Sequence, residues 1–418
     1  MAQPVTPPRG MRDFLPADKA RREHALGIIR ASYAAHGFDE IETPVMEDSA
    51  RLHSGLGGDN EKLAFAVMKR GLGAEDLAAA AESGDTLALA DLGLRFDLTV
   101  PLARFYATHR AALPGVFRSI QIAPVWRAER PQKGRFRQFV QCDIDIIGEA
   151  GQLAEIELIG ATAGTLDALG LTGCSIRIND RRILQALLAH WGVADGLYER
   201  ALITIDKLDK IGTGGVADEL AGLGIEANGI AATLDDIANA GWELLEGEVP
   251  AWLDREAYGE LLALRAALPG VELVFDPTLV RGMGYYTGTI FEIAHPDLGY
   301  SLGGGGRYDG MIGRFLGSEV PACGFSIGFE RIVDLLPADA ASKANAVVLV
   351  HEKDADAAQL MAIKRQLVAS GTRVRLEKRA KNFKALLERA EADGFTGFAL
   401  LGNDVTDAGA LEFKPLGG

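Results

Sequence analysis

Cysteine is scarce: Cys142, Cys174 and Cys323 are the three in 418 residues, far apart and without a CxxC pair. That excludes a disulfide scaffold and the paired-cysteine zinc modules. A positive charge balance is also missing, since 43 Lys+Arg stand against 58 Asp+Glu for a net −15. A protein that coats nucleic acid non-specifically is therefore excluded, and any anion must be bound by local clusters. Long apolar runs are absent, Ala346–Val350 being typical, so no membrane span of about 18 residues exists. The opening MAQPVTPPRGMRDFLP has no apolar core of an export signal, and a reduced, cytoplasmic protein is expected. Nucleotide-binding glycine loops are missing too: there is no GxxxxGK[ST], and no GxGxxG follows a strand and opens a helix.

What is present is a globular composition, 48% hydrophobic and 24% charged, long enough for two or three domains at roughly 150 residues each. The small, polar stretch PADAASKAN at 337–345 reads as a linker. Beyond it, strands expected at 346–351, 372–377 and 395–401 alternate with helices at 354–370 and 382–393. That order implies a small α/β domain with a mainly parallel sheet. The larger part, 1–336, instead carries long alternating strands at 116–127, 136–147 and 286–294. These imply an α+β domain with an antiparallel sheet flanked by helices. Residues 181–268 are mostly helical and read as an insertion. No solenoid repeat occurs.

Two basic clusters stand out. Residues 117–137, FRSIQIAPVWRAERPQKGRFR, hold Arg118, Arg127, Arg130, Lys133, Arg135 and Arg137 against Glu129. A solvated hairpin is the plain explanation. The second strand argues for more. Val140, Cys142, Ile144 and Ile146 fall on one face, while Arg137, Phe139, Gln141, Asp143 and Asp145 fall on the other. Arginines, a stacking ring, an amide and carboxylates on one face suit a ligand with a phosphate end, an aromatic base and a cationic group. Residues 373–384, RVRLEKRAKNFK, form the other cluster, read either as a solvated strand and helix start or as a phosphate contact.

Further residues are singled out by their surroundings. Arg281, in LVRGMGYYTGTIFE, lies between apolar residues and needs an anionic partner, an acid or a ligand. Strand alternation would turn Tyr285 and Tyr286 to opposite faces, so that at most one lines the pocket of Arg281. Asp97 and Thr99, in LRFDLTVP, offer an acid and a hydroxyl to an ammonium group. Arg331 is either salt-bridged to Glu330 or Asp334 or aimed at a terminal phosphate. The glycines of GGGGRYDG mark strands approaching a ligand or one another closely. Ser326 formally matches GxSxG but reads as a small residue at a strand-to-helix turn.

Several stretches together resemble the histidyl-tRNA synthetase family of class II aminoacyl-tRNA synthetases. PRGMRDFLP at 8–16 resembles the family's opening, FDEIETPVME at 38–47 its dimer-interface motif 1, residues 127–137 with QFVQCDIDIIGE motif 2, and GFSIGFERI at 324–332 motif 3. LVRGMGYYTGTIFE and GGGGRYDG resemble its histidine signatures, and ITIDKLDKIG at 203–212 is family-like. The resemblance implies that histidine and ATP react to histidyl-adenylate and pyrophosphate, after which histidine passes to the 3′ end of its tRNA. It implies Arg127 and Arg281 as catalytic residues, and Arg127, Glu129, Arg135, Phe139 and Arg331 as ATP ligands. Histidine would be held by Asp97, Thr99, Arg127, Gln141, Asp145, Arg281, Tyr285, Tyr286 and Tyr308, and the tRNA acceptor end by Gln132 and Arg137. ATP would carry Mg2+, with no metal ligand expected from the protein's side chains. A homodimer and an anticodon-binding C-terminal domain at 346–418 are implied.

Two departures are visible. Gly284 stands where the signature often has Asp, which implies a change in pocket shape. The chain closes on ALEFKPLGG, where the pattern would continue through another helix, so the C-terminal domain is expected to be shortened. The rival reading is a histidine-binding regulatory subunit of ATP phosphoribosyltransferase that charges no tRNA; the presence of Arg127, Arg281 and Arg331 argues against it.

Overall fold

A computed structural model describes residues 5–53, 63–131, 135–225, 230–238, 241–246, 248–281, 285–337 and 345–417. The strands are β1 Asp39–Glu40, β2 Met46–Asp48, β3 Phe65–Met68, β4 Ala90–Leu94, β5 Phe117–Trp126, β6 Gln138–Ile147, β7 Ser175–Asp180 and β8 Leu273–Phe275. They continue as β9 Thr289–Ala294, β10 Gly303–Arg307, β11 Ala322–Ile327, β12 Ala346–His351, β13 Arg373–Lys378, β14 Gly397–Leu401 and β15 Lys414–Pro415. The chain divides into two compact units, one of Met1–Arg12 and Ile28–Leu336, the other of Asp13–Gly27 and Pro337–Gly418.

The first unit is built on an eight-stranded sheet in the order β1-β5-β6-β11-β10-β9-β7-β8. Pairing is antiparallel except at its ends, where β1 joins β5 and β8 joins β7 in parallel. The cause is the alternation along each strand. Cys142, Ile144 and Ile146 of β6, Phe325 and Ile327 of β11, and Phe291 and Ile293 of β9 are all buried on one face. The helix Leu153–Ala168 covers that face with Leu158, Ile159 and Ala161. Arg118 points the same way and is tied to Glu157 of that helix at 2.5 and 2.7 Å. It therefore lies on the face opposite Asp145, its cross-strand neighbours being Ile146 and not an acid. A small sheet in the order β2-β4-β3 stands beside the large one.

The helices Arg181–His190, Tyr198–Ile205, Leu208–Gly222, Ile230–Ala238 and Arg255–Ala267 make up the helical stretch. Their apolar residues Leu184, Leu188, Val216 and Leu220 belong to one buried cluster with Phe96, Tyr285, Tyr286 and Tyr308. The wall of the polar pocket described below is thus part of a packed core.

The second unit has a sheet in the order β13-β12-β14-β15, parallel but for β15. Val347 and Leu349 enter one apolar cluster, and Ala346, Val348 and Val350 enter another. Burial on both faces explains why β12 is an unbroken apolar run instead of an alternating one. Three of the six cations in the run at 373–384 are matched with acids: Arg375 to Asp393 at 2.6 Å, Arg379 to Glu352 at 2.6 Å and Lys384 to Glu388 at 3.8 Å.

The strand start expected at Tyr286 fails. Residues 286–288 are not strand, and β9 begins at Thr289. Tyr285 and Tyr286 therefore escape period-two alternation. Their ring centroids lie 4.8 Å apart, both rings are buried in the same cluster, and Tyr285 meets Tyr308 edge-on at 6.0 Å. Both tyrosines line one pocket. Ser326 likewise lies within β11 and not at a turn.

Candidate active site

The face of the sheet opposite the helix Leu153–Ala168 is polar, and its register sets the site. One row of cross-strand partners runs Arg177, Glu292, Gly304, Ser326, Asp143, Gln121 over six strands. The next runs Asn179, Ile290, Gly306, Gly324, Asp145, Ser119. The glycines leave room above the middle of both rows. A Cβ on Gly304 would lie 2.7 Å from Cζ of Arg281, and one on Gly306 would lie 2.9 Å from Cδ1 of Tyr286. A Cβ on Gly324 would overlap the Asp145 carboxylate. Real Cβ atoms do not approach so closely, so three glycines are the floor on which an arginine, a tyrosine and an acid lie.

Above one half of that floor is a pocket of acids. Asp145 accepts a 2.6 Å hydrogen bond from the Tyr308 hydroxyl, and both are buried. Asp97 uses one oxygen to cap the helix Thr99–His109 through the Val100 N–H at 3.1 Å. Its turn is held from below by Gln121, whose Nε2 donates to the Leu98 carbonyl at 3.0 Å. Gln141 donates to Ser326 Oγ at 3.3 Å. One oxygen each of Asp97, Asp143, Asp145 and Gln141 is buried with no hydrogen-bond partner. Unpaired buried acceptors are costly, and burial shifts the pKa of each acid upward. Burial raises Asp97 to about 6, against the pull of the Val100 N–H and Arg127. Burial raises Asp145 to about 7 despite the Tyr308 hydroxyl. Asp143 is pushed well up, by burial first and by the charge of Asp145 second. A pocket of this kind attracts a cation rich in N–H donors.

The other half gathers guanidinium groups. Arg127 donates to the Phe96 carbonyl at 3.0 Å and lies 5.1 Å from the Phe139 ring centroid. Arg281 is paired with Glu292 at 2.7 Å. Arg331, on the helix Phe329–Leu335, donates to the Ser301 carbonyl and sits over the Tyr300 ring at 5.2 Å. Its pKa is lowered, by burial first, then by the charge of Arg135 and, more weakly, by that of Arg281. Arg331 thus feels the charge of two other guanidinium groups in partial burial, a setting that suits a polyanion. Of the two alternative partners for Arg331, Glu330 and Asp334, the first is engaged elsewhere: Glu330 bonds Arg12 at 2.5 Å and the Val140 N–H at 3.2 Å. Glu129 is 3.7 Å from Arg135, and the Arg137 side chain donates to the Glu129 carbonyl at 3.0 Å.

Known proteins share this arrangement of fold and motifs. The family model described as histidyl-tRNA synthetase matches residues 10–332, well over half of the chain. The chain belongs to the histidyl-tRNA synthetase family. It is similar to the histidine–tRNA ligase of Leifsonia xyli subsp. xyli, with 66% identity covering 100% of this chain and 99% of the relative. It is similar at 43% identity to the probable histidine–tRNA ligase of Tropheryma whipplei, over 95% of this chain and 96% of the relative. Among solved structures, a histidyl-tRNA synthetase from Nostoc superposes with TM-score 0.76 at 24% identity, over 99% and 95% of the two chains. A Bacillus halodurans protein described as an ATP phosphoribosyltransferase regulatory subunit/histidyl-tRNA synthetase gives 0.72 at 22%, over 93% and 97%. At those identities the two structures speak for the fold alone. The fold is that of a class II aminoacyl-tRNA synthetase.

Within this synthetase-family chain, the structure places Asp97, Thr99, Gln141, Asp145, Tyr285, Tyr286 and Tyr308 around the acid pocket, and Arg127 reaches it from the basic half through its charge interaction with Asp97 and Asp143. Arg281, Arg331 and Arg135 lie in the adjoining basic half. Gln132 and Gly284 lie outside the described residues. Sequence reasoning did not assign Asp143, although its alternation with Gln141 and Asp145 was the signal that could have done so. Nor did it assign Glu292, a single acid in the apolar strand TIFEIA. Gly324→Ala is expected to raise the histidine KM about tenfold to a hundredfold, in keeping with an overpacking cost of about 1–3 kcal/mol. The clash falls on a carboxylate and a tyrosine ring edge. Circular dichroism should therefore stay native while the exchange kinetics shift; an unchanged KM would remove the pocket from this position.

Proposed function

We infer that this enzyme is a histidine–tRNA ligase that forms histidyl-adenylate from histidine and ATP and then charges its tRNA. The observation that carries the reading is the juxtaposition on one sheet face of acids with unpaired oxygens and guanidinium groups that crowd one another. Histidine supplies the cation for the first group and the triphosphate supplies the anion for the second.

In adenylation an ionised carboxylate attacks an α-phosphate that is itself negative. Arg127 and Arg281 offset that repulsion and the charge that grows in the transition state. Arg331 holds the terminal phosphate with Arg135, Phe139 stacks on adenine, and Glu129 meets its amino group. No general base is required, because the attacking group is already ionised. Asp97, Thr99 and Gln141 hold the ammonium group. Asp145, set by Tyr308, reads the imidazole with Tyr285 and Tyr286. A ligand lacking a ring nitrogen leaves a buried partner unpaired, at about 1–3 kcal/mol. Magnesium enters with ATP and adds charge neutralisation on the phosphates. Arg137 and Gln132 are assigned to the tRNA acceptor end.

Residues 346–418 serve as the anticodon-binding domain, the helical stretch as an insertion, and 337–345 as the linker. The protein works in the cytoplasm as a homodimer through 38–47, where Val45 and Met46 are 41% and 46% exposed. No helix among the described residues is long and apolar enough to cross a membrane.

The test uses pure protein, histidine, ATP, magnesium and labelled pyrophosphate. Exchange that depends on histidine, followed by charging of a histidine tRNA transcript, is expected. Histidine binding without exchange would favour the regulatory reading instead.

A further inference from the structure

We propose that Glu292 is a positioning residue that sets the guanidinium of Arg281 for adenylation, and that Arg177 orients Glu292 for this task. The proposal rests on the ligase reading and deepens it.

The geometry is a continuous chain. Thr278 donates through its N–H and hydroxyl to Asp276 Oδ1 at 3.0 and 2.7 Å. Asp276 Oδ2 accepts from Arg177 Nε at 2.6 Å. Arg177 Nη1 reaches Glu292 Oε1 at 3.4 Å, and Arg281 Nη1 donates to Glu292 Oε2 at 2.7 Å. Arg177, Glu292 and Gly304 are direct cross-strand partners, so rigid strand pairing fixes the order. The backbone just before Arg281 is pinned as well, since buried Asn179 donates to the Leu279 carbonyl at 3.1 Å. Gly304 then leaves the space into which the guanidinium is laid.

An arginine carries four flexible bonds, and holding it still costs rotamer entropy. If that ordering is in place before substrate arrives, the transition state need not supply it. Glu292 uses one Nη of Arg281, and a guanidinium has further N–H donors for the phosphate. Its charge also offsets part of the repulsion between Arg281 and Arg331 while no nucleotide is bound. The structural alternative, a salt bridge that only stabilises the strand, predicts a loss of folding without a selective loss of chemistry.

The experiment compares wild type, Glu292→Ala, Glu292→Gln, Glu292→Asp, Arg281→Ala and the Glu292→Ala/Arg281→Ala double variant. Single-turnover adenylate formation, histidine affinity by calorimetry and melting midpoints are read for each. Misplacing a catalytic group by about 1 Å costs about a hundredfold. The rate should therefore fall about a hundredfold in Glu292→Ala and Glu292→Gln, with histidine affinity within threefold of wild type. Glu292→Asp should recover part of the loss. In the Arg281→Ala background, removing Glu292 should change the rate by less than threefold. A further hundredfold loss in that background, or near-wild-type rates in Glu292→Gln, would overturn the proposal. A wild type that makes no adenylate would instead overturn the ligase reading.

Discussion

Replacing Arg281 by alanine is expected to slow adenylate formation by about a thousandfold, within the range seen when one preorganised charge donor is removed from a transition state. Histidine should still bind within a few-fold, because the acid pocket around Asp97 and Asp145 keeps its contacts. The expectation follows from what surrounds the side chain. Its guanidinium rests above Gly304, pairs with Glu292 and lies near enough to Arg331 for the charges to be felt. Nothing in this setting is a surface ion pair of the kind that contributes little. Rapid-quench measurement of adenylate with saturating ATP and histidine checks the result. A rate within tenfold of wild type would show that the negative charge of the reacting groups is balanced elsewhere.

The second large effect has two opposite parts. Asp145→Asn should nearly abolish histidine-dependent exchange, by about a hundredfold or more, since a buried polar partner of the ligand is lost. The same change should stabilise the ligand-free protein. The sign follows from the raised pKa of about 7, which burial causes. Unfolded, the same acid titrates near 3.8. Between those values the folded state holds a proton that the unfolded state has released, so stability falls as pH rises, and the full deficit is present above pH 7. A shift of about 3 units corresponds to at most about 4 kcal/mol. Asparagine keeps an acceptor for Tyr308 and carries no charge, so it removes the deficit. Urea unfolding at pH 8 should show the variant more stable by about 1–4 kcal/mol, with the gap closing towards pH 4. A variant less stable than wild type at pH 8 would mean that the carboxylate is well solvated or paired in the empty pocket.

The opposition of these two parts is physically informative. Asp97, Asp143 and Asp145 are kept together, with one oxygen of each unpaired, and those oxygens contribute nothing to the fold until a cation arrives. Strain of this sort collects at functional sites, where local rules of burial are broken and the surrounding packing sustains the cost. Here the packing is the cluster that Tyr285, Tyr286 and Tyr308 share with the helical stretch.

Much of the site could be read along the chain because it lies on a strand. β6 alternates strictly, so the polar face bearing Phe139, Gln141, Asp143 and Asp145 followed from spacing alone. The run at 303–306 announced a close approach, which proves to be Gly304 beneath Arg281, Gly306 beneath Tyr286 and Gly305 against the backbone of Gly324. The need of Arg281 for an anion was also legible, but not which anion. Glu292 is eleven residues away in sequence and becomes the partner only because β9 lies beside β10, whose Gly304 opens the space. Arg118 belonged to the basic cluster by composition, yet pairing turns it to the helix side and to Glu157.

By itself, then, the sequence determined the alternating strands, the glycine floor, the family motifs and the parallel character of the C-terminal sheet, all of which depend on local period and residue type. Tertiary structure alone decided which charges meet. Arg12 takes Glu330 from a distance of 318 residues and so leaves Arg331 to the site, and Tyr285 joins Tyr286 because the strand starts later than alternation suggests. Such partnerships depend on strand order and on the closing of long loops, and neither leaves a periodic signal in the chain.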